Sequence, residues 1–401
     1  MRDNAIMKKE LTILGSTGSI GTTALSIQNI SENFTLHSLV AGSNCKLLIE
    51  QSLRFKPKYA VLFDDNYYSE LKSNLFGSGI KIKTGLDGIL DITSDTVDIV
   101  LSAISGSNGI LPTYNCINNT AIIAIANKES IVSAGNLLFD KNLNKSTEII
   151  PVDSEHCALS KLFKSVNKDD IRKLIITASG GPFIHKKKDE LEFVTVKESL
   201  KHPTWKMGDK ISIDSATLIN KGLELIEATY LFDINHELID ILVHPESLIH
   251  GMVSLKDGTS IAMMADTDMR IPISNALFAE GNHPEYNNLC LEKIGKLTFR
   301  SLDEVKFPSV TLARLALDMG PIGIITYNAS SEVAVQSFVL GKIKFTEIFG
   351  IIENSIANMS KNVQMKTANN IENILEINSM AKSVSEDLVR DLYLEKGGEI
   401  D

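Results

Sequence analysis

Residues 11–21 read LTILGSTGSIG, and this stretch decides the fold. Leu11–Leu14 is a short apolar strand, Gly15 to Gly21 carries a glycine at every third position, and Ile20–Ile30 continues as a helix. A glycine-rich turn between a first strand and a helix lets backbone N–H groups approach a pyrophosphate, and the helix N-terminus adds favourable partial charge. The spacing is GxxGxxG and not the commoner GxGxxG, and a tight turn without a ligand would use the same glycines. Its place at the first strand-to-helix turn of a βαβ run is what points to a dinucleotide.

Working outward, strands read at Phe34–Val40, Tyr59–Phe63, Val97–Ile104 and Ala121–Ala126, with a helix over Asn44–Phe55. Runs such as VDIVLSAI and TAIIAIAN suit strands covered on both faces. The fold class is α/β. Residues 1–152 are expected to form a Rossmann-like domain with a parallel sheet, and residues 153–285 an α+β catalytic domain that binds metal and substrate. A linker over 286–310 and a small helical domain over 311–401 complete the chain. His185 to Asp209 reads as a long mobile loop, and DSATLINKGLELIEATYLF as one amphipathic helix.

With 401 residues, of which 43% are hydrophobic and 22% charged, the chain has ample surface to bury. A net charge of -10 argues against nucleic acid or an anionic membrane as partner, though local donors can still hold a small phosphate. No apolar run approaches the roughly 18 residues of a membrane span. Cys45, Cys116, Cys157 and Cys290 form no CxxC pair. Met1–Glu10 shows no signal or transit pattern, so a cytoplasmic, soluble protein is expected.

The second strand ends Val40-Ala41-Gly42-Ser43-Asn44 without the acid that usually accepts from a ribose 2′-OH. Its absence favours NADP over NAD. Ser43, Asn44 and Lys46 are candidate donors; Ser43 and Asn44 could equally cap the next helix. Asp153 and Glu155 stand at a strand end. If the chain is extended there, both project to one side and can share Mg²⁺ or Mn²⁺, which prefer hard oxygen ligands. N-capping of the following helix is the alternative. Glu224 is the best third carboxylate, with Glu227 one turn on. Ser179 in TASGGPF offers an anion nest, and Ser215, Asn220 and Lys221 could bind a phosphate and a hydroxyl. Lys128 and Glu129 follow a strand where such folds bind ligands. Trp205, the only tryptophan, sits in a polar loop that could close as a lid or simply pack. His202, His244 and His250 are each either ligands or structural.

Taken together, LTILGSTGSIG, ANKES, PVDSEH, GGPF, HPTWKMG, DSATLINKGLE and HPESLIHGMV, in this order over about residues 11–255, resemble the 1-deoxy-D-xylulose 5-phosphate reductoisomerases; MADTDMRIPI and YNASSEVAV extend the match. The resemblance implies rearrangement of the substrate's carbon skeleton, then reduction by NADPH, giving 2-C-methyl-D-erythritol 4-phosphate for non-mevalonate isoprenoid synthesis. It implies that Asp153, Glu155 and Glu224 hold the cation, with Lys128 near metal, substrate and nicotinamide. Ser179, His202, Ser215, Asn220 and Lys221 would bind the phosphate of the sugar phosphate substrate, Ser154 its hydroxyls, and Trp205 and Met207 would close over it. Thr17, Gly18, Ser19, Ile20, Gly42, Asn44, Asn127, Glu129, Met207 and Gly208 would hold NADPH, and a homodimer is implied. There are two departures. The family commonly has a basic residue after the glycine matching Gly42, where this chain has Ser43. Its Asn-Ala-Ala-Asn-Glu motif is here Asn328-Ala329-Ser330-Ser331-Glu332. Without the resemblance, the same residues also fit an NADP-dependent dehydrogenase of a phosphorylated hydroxy acid, which would not need three carboxylates.

Glu224→Gln is expected to weaken metal binding and activity while the chain stays folded. Wild-type activity in this variant would remove Glu224 from the site.

Overall fold

Strand β1 (Lys9–Leu14) buries Leu11, Ile13 and Leu14 completely, as its continuous apolar run demands. Around it lie β2 (Phe34–Ala41), β3 (Tyr59–Leu62), β4 (Lys81–Thr84), β5 (Val97–Ser102), β6 (Thr120–Ile125) and β7 (Glu148–Pro151). Among the described residues they form one parallel sheet in the order β4-β3-β2-β1-β5-β6-β7. The order reverses between β1 and β5, where an open parallel sheet leaves a crevice beyond its carboxyl ends. β4 was not foreseen; its four residues, KIKT, are mostly polar and lie at the sheet edge.

The computed structural model describes residues 8–201, 208–279, 281–362 and 367–397. A second, mixed sheet has the order β11-β10-β8-β9-β12, built from β8 (Ile171–Ala178), β9 (Ile239–Val243), β10 (Ile249–Leu255), β11 (Ser260–Met264) and β12 (Arg300–Ser301). β8 and β9 are parallel and the other pairs antiparallel. The turn joining β10 to β11 uses Gly258 at φ +92°, with the Asp257 carboxylate accepting from the Thr259 amide at 2.8 Å. Four helices follow: Ser309–Asp318, Pro321–Val339, Glu347–Asn362 and Ile371–Glu395.

The chain divides into two compact units that interleave along the sequence. One comprises Met1–Ser130, Asp140–Cys157 and Asp268–Asn287; the other comprises Ile131–Phe139, Ala158–Thr267 and Asn288–Asp401. Consecutive blocks at 152/153, 285/286 and 310/311 do not describe this arrangement. Ile273, Ala276, Leu277 and Phe278 bury themselves in the core of the first sheet, and Phe278 meets Phe34 edge-on with ring centres 5.2 Å apart. The C-terminal helices share one core with the second sheet, since Tyr327, Phe338 and Phe345 cluster with Leu174, Ile176 and Val253. No described helix is long and apolar enough to cross a membrane.

Two local readings change. The stretch after His185 is partly ordered into a 3-10 turn, Lys188–Phe193, and a short helix, Val196–Ser199. Thr195 and Glu198 close a capping box on that helix, the Thr195 amide donating to the Glu198 carboxylate at 2.8 Å. The pattern Thr-Val-Lys-Glu was its sequence signal. DSATLINKGLELIEATYLF is two helices, Asp209–Ala216 and Ile219–Phe232, separated at Leu218, whose φ of +59° is left-handed. Ser330 and Ser331, which replace the family's residues, are buried, and their hydroxyls donate to the carbonyls of Tyr327 at 3.2 Å and Asn328 at 2.8 Å. Both polar groups are thereby satisfied inside the helix.

Tyr327 is fully buried, which pushes its phenol well above the usual range, with Asp214 adding to the effect. Its hydroxyl donates to the Ser309 carbonyl at 3.2 Å and fits where Gly222 has no side chain; a Cβ there would lie 2.0 Å from the hydroxyl oxygen. Gly222→Ala should therefore destabilise the protein by about 1–3 kcal/mol through overpacking, and adding Tyr327→Phe should recover part of the loss. Urea unfolding of the single and double variants measures this. A Gly222→Ala protein as stable as wild type would contradict the close approach.

Candidate active site

The candidate residues of the first unit lie at the carboxyl edge of the parallel sheet. Thr17, Gly18, Ser19 and Ile20 follow β1, Gly42 and Asn44 follow β2, Asn127, Lys128 and Glu129 follow β6, and Asp153, Ser154 and Glu155 follow β7. The three glycines of the first turn divide the work. Gly15 has φ +89° and a Cβ there would lie 2.4 Å from the Ala103 carbonyl; one on Gly21 would lie 2.3 Å from the Gly15 carbonyl. Both are demanded by packing. Gly18 would meet only the Gly15 carbonyl, at 3.4 Å, and Gly42 nothing within 4 Å. Packing alone does not demand glycine at those two positions. The loop itself is pinned: the Gly15 and Ser16 amides donate to the Val40 carbonyl at 3.0 and 2.7 Å.

Asn44 does cap its helix, its side-chain oxygen accepting from the Leu47 amide at 3.2 Å. The NH₂ of that side chain is the group able to donate to a ligand. Asn127 is buried and ties two loops together. Its NH₂ donates to the Ile104 and Gly106 carbonyls at 2.6 and 3.0 Å and to the Glu129 carboxylate at 2.9 Å, while its oxygen accepts from the Ser130 amide at 2.8 Å. It shapes the sheet edge after β5 and β6.

Asp153 and Glu155 do not stand on an extended chain. β7 ends at Pro151 and a helix, Ser154–Phe163, starts at once, with the Asp153 carbonyl accepting from the Cys157 amide at 2.8 Å. The two carboxylates nevertheless approach, each offering an oxygen within 4.8 Å of the other, because they flank the first helical turn. Lys128 donates to the Asp153 carboxylate, and the Ser154 hydroxyl donates to Glu155. The helix N-terminus favours negative charge here. His156, in PVDSEH, is fully buried and brings a ring nitrogen within 4.8 Å of an Asp153 oxygen.

In the second unit, Ser179 follows β8 and accepts from the Gly181 amide at 3.2 Å. Gly180 and Gly181 are both left-handed, at φ +85° and +68°, and a Cβ on Gly181 would lie 2.7 Å from the Ser215 carbonyl. The glycine turn thus presses on the helix that carries Ser215. The break at Leu218 lets Asn220, Lys221 and Glu224 start a new helix, and Gly208 opens the preceding one. Glu224 has no solvent exposure. Lys221 donates to it at 2.6 Å, and the Asn220 NH₂ donates to its other oxygen. His244 and His250 are structural ties: His244 accepts from the Leu248 amide at 3.2 Å and faces the Thr298 carbonyl at 2.9 Å, while His250 faces the Ala265 carbonyl at 3.2 Å. Burial would raise the Glu246 carboxyl beside His244, but bonds from Thr298 and the nearby His244 bring it below the usual range. His202, Trp205 and Met207 lie outside the described residues.

Three family profiles match the chain. One described as 1-deoxy-D-xylulose 5-phosphate reductoisomerase covers residues 11–135, and two described as C-terminal domains of that enzyme cover residues 149–232 and 264–384. Curated relatives of the same name include those of Thermoanaerobacter pseudethanolicus, 42% identical over 95% of this chain and 99% of that one, and Agrobacterium fabrum, 38% identical over 97% and 98%. Similar solved structures include the reductoisomerase of Zymomonas mobilis in complex with NADPH, with a TM-score of 0.87 and 36% identity over 95% of this chain and 99% of that one. Another, in complex with NADPH, fosmidomycin and magnesium, has a TM-score of 0.89 and 32% identity over 98% and 100%.

Lys221 and Glu224 form a buried ion pair, so removing one partner leaves a buried charge poorly compensated. Lys221→Met should cost about 3 kcal/mol of stability in urea unfolding, and Lys221→Met with Glu224→Gln much less than the two single changes summed. Additive losses would mean the two side chains act independently.

Proposed function

Since the chain belongs to the 1-deoxy-D-xylulose 5-phosphate reductoisomerase family, we propose that Asp153, Glu155 and Glu224 together hold one divalent cation and that the residues around them bind the sugar phosphate and NADPH. The enzyme converts 1-deoxy-D-xylulose 5-phosphate to 2-C-methyl-D-erythritol 4-phosphate in the non-mevalonate isoprenoid pathway, with NADPH and a divalent cation. Two observations support the fit of these groups. The carboxylates of Asp153 and Glu155, each offering an oxygen within 4.8 Å of the other, are hard oxygen donors of the kind Mg²⁺ and Mn²⁺ prefer. The backbone at Gly18 and Gly42 is open where a side chain would stand.

Mg²⁺ or Mn²⁺ held by Asp153, Glu155 and Glu224 would supply Lewis acidity, and NADPH would supply the hydride. The protein's own side chains orient these parts. Lys128, bonded to Asp153, fixes that carboxylate and brings positive charge to oxygens that become negative during rearrangement. Ser154 meets the substrate's hydroxyls. Ser179, Ser215, Asn220 and Lys221, with His202, hold its phosphate and so spend binding energy on position. Family likeness adds Trp205 and Met207, outside the described residues, to the substrate site. Thr17, Gly18, Ser19, Ile20, Gly42, Asn44, Asn127, Glu129, Met207 and Gly208 serve the dinucleotide.

The observation that carries this reading is the arrival of the loops after β1, β2 and β6 and the carboxylates after β7 at one edge of one parallel sheet. Family likeness extends the reading to a cytoplasmic homodimer that binds no nucleic acid.

Purified protein should oxidise NADPH only when the sugar phosphate and Mg²⁺ or Mn²⁺ are both present, and chelation should abolish turnover until metal is restored. Full activity after chelation, or none from folded, metal-loaded protein, would contradict the reading. Ser43→Arg should raise the preference for NADPH over NADH, as the ratio of kcat/KM values, by about tenfold, the worth of one charge-assisted bond to the 2′-phosphate. An unchanged ratio would place that phosphate away from residue 43.

A further inference from the structure

The short segment after β12 carries Lys306, within the irregular stretch that precedes the C-terminal helices. Lys306 is buried, and its ammonium donates to two backbone carbonyls, Phe183 at 2.7 Å and Ile184 at 3.1 Å. These carbonyls belong to the same turn as Ser179, Gly180 and Gly181. Three residues on, fully buried Ser309 donates its hydroxyl to the Thr217 carbonyl at 2.7 Å, beside the left-handed break at Leu218. The Ser309 carbonyl in turn accepts from Tyr327. One stretch of four residues therefore grips both arms of the candidate phosphate subsite: the Ser179 turn, and the break between Ser215 and Asn220-Lys221.

The chemistry of Lys306 is costly for a merely structural role. Burial pushes its ammonium below the usual lysine range, with Asp303 and Glu190 opposing. An apolar side chain of similar volume would avoid desolvating a charge but would leave both carbonyls without this donor. What a lysine adds is direction: two carbonyls drawn to one point fix the two planar peptide units that contain them, and hence the path of the turn. The Ser309 hydroxyl does the same for the Thr217 carbonyl, one of those that a helix end leaves without a partner in its own helix. The Gly181 contact with the Ser215 carbonyl shows that the two arms leave no slack, since a single methyl would not fit between them.

We infer that Lys306 and Ser309 are positioning residues for the substrate's phosphate, a strut that sets the 179–184 turn and the Thr217–Leu218 break in register with each other. This rests on the assignment of Ser179, Ser215, Asn220 and Lys221 to the phosphate. Neither strut residue touches the ligand; each acts through backbone that carries the residues that do.

The test uses the full-length, metal-loaded enzyme in steady state. Lys306→Met and Ser309→Ala should each raise KM for the sugar phosphate about tenfold, the scale on which small misplacements act, with KM for NADPH unchanged. Lys306→Arg should restore most of the loss, because a guanidinium can also donate to both carbonyls. An unchanged sugar phosphate KM in folded Lys306→Met overturns the inference, as does a parallel rise of both KM values without rescue by arginine. If Lys306→Met does not fold, Ser309→Ala and Lys306→Arg decide: a wild-type sugar phosphate KM in Ser309→Ala, or a rise of about tenfold or more in folded Lys306→Arg, overturns it. Ser215→Ala separates the two levels. If it too leaves the sugar phosphate KM unchanged, the phosphate assignment fails; if it raises KM while the strut variants do not, the strut alone fails.

Discussion

The structure turns on a carboxylate that has no contact with solvent. Taking an ion of that size out of water costs several kcal/mol even after relaxation, so Glu224 can be tolerated only where donors are already in place. Lys221 and Asn220, three and four residues earlier on the same helix, are those donors. The rest of the second unit is arranged so that this helix starts where it does. Leu218 takes a left-handed conformation to break the preceding helix, Ser309 accepts the consequence at the Thr217 carbonyl, and Gly222 yields its side chain so that Tyr327 can pack beneath. Each of these features costs something locally. Together they deliver a buried charge at a fixed place, which is the property a metal ligand needs and a stability-driven core does not.

The first unit solves a different problem by simpler means. A parallel sheet gathers the ends of its strands, and therefore the loops that follow them, along one edge. The reversal of strand order between β1 and β5 opens the crevice, and the Gly15 turn packs against Ala103 at that point. Asn127 then fixes two of the neighbouring loops with a single side chain. Asp153 and Glu155 arrive at the same edge one strand further on, with negative charge set at a helix start and Lys128 against Asp153.

Much of this was legible in the sequence, for physical reasons. Doubly covered strands are apolar without interruption, so β1, β5 and β6 declared themselves, and the glycine turn marked where the first of them ends. β4 did not, because a four-residue edge strand with two lysines has no pattern to read. The helix break at Leu218 was hidden for another reason: leucine is a good helix former, and only tertiary packing holds it at positive φ. Asp153 and Glu155 come close together although the chain turns helical there and is not extended, because they flank the first helical turn. Lys306 was invisible because its partners are backbone carbonyls more than 100 residues away, at 122 and 123 positions' separation, and no local signal reports such a bond. Domain limits were the least legible, because a core such as that around Phe278 recruits a distant segment by shape and apolarity alone.

Whether Asp153, Glu155 and Glu224 hold one cation can be measured directly. Crystals of the protein grown with Mn²⁺ would show its position by anomalous scattering. The account predicts a single strong peak at bonding distance from Asp153, Glu155 and Glu224 together. A peak held by Asp153 and Glu155 without Glu224, or one elsewhere on the molecule, would contradict it.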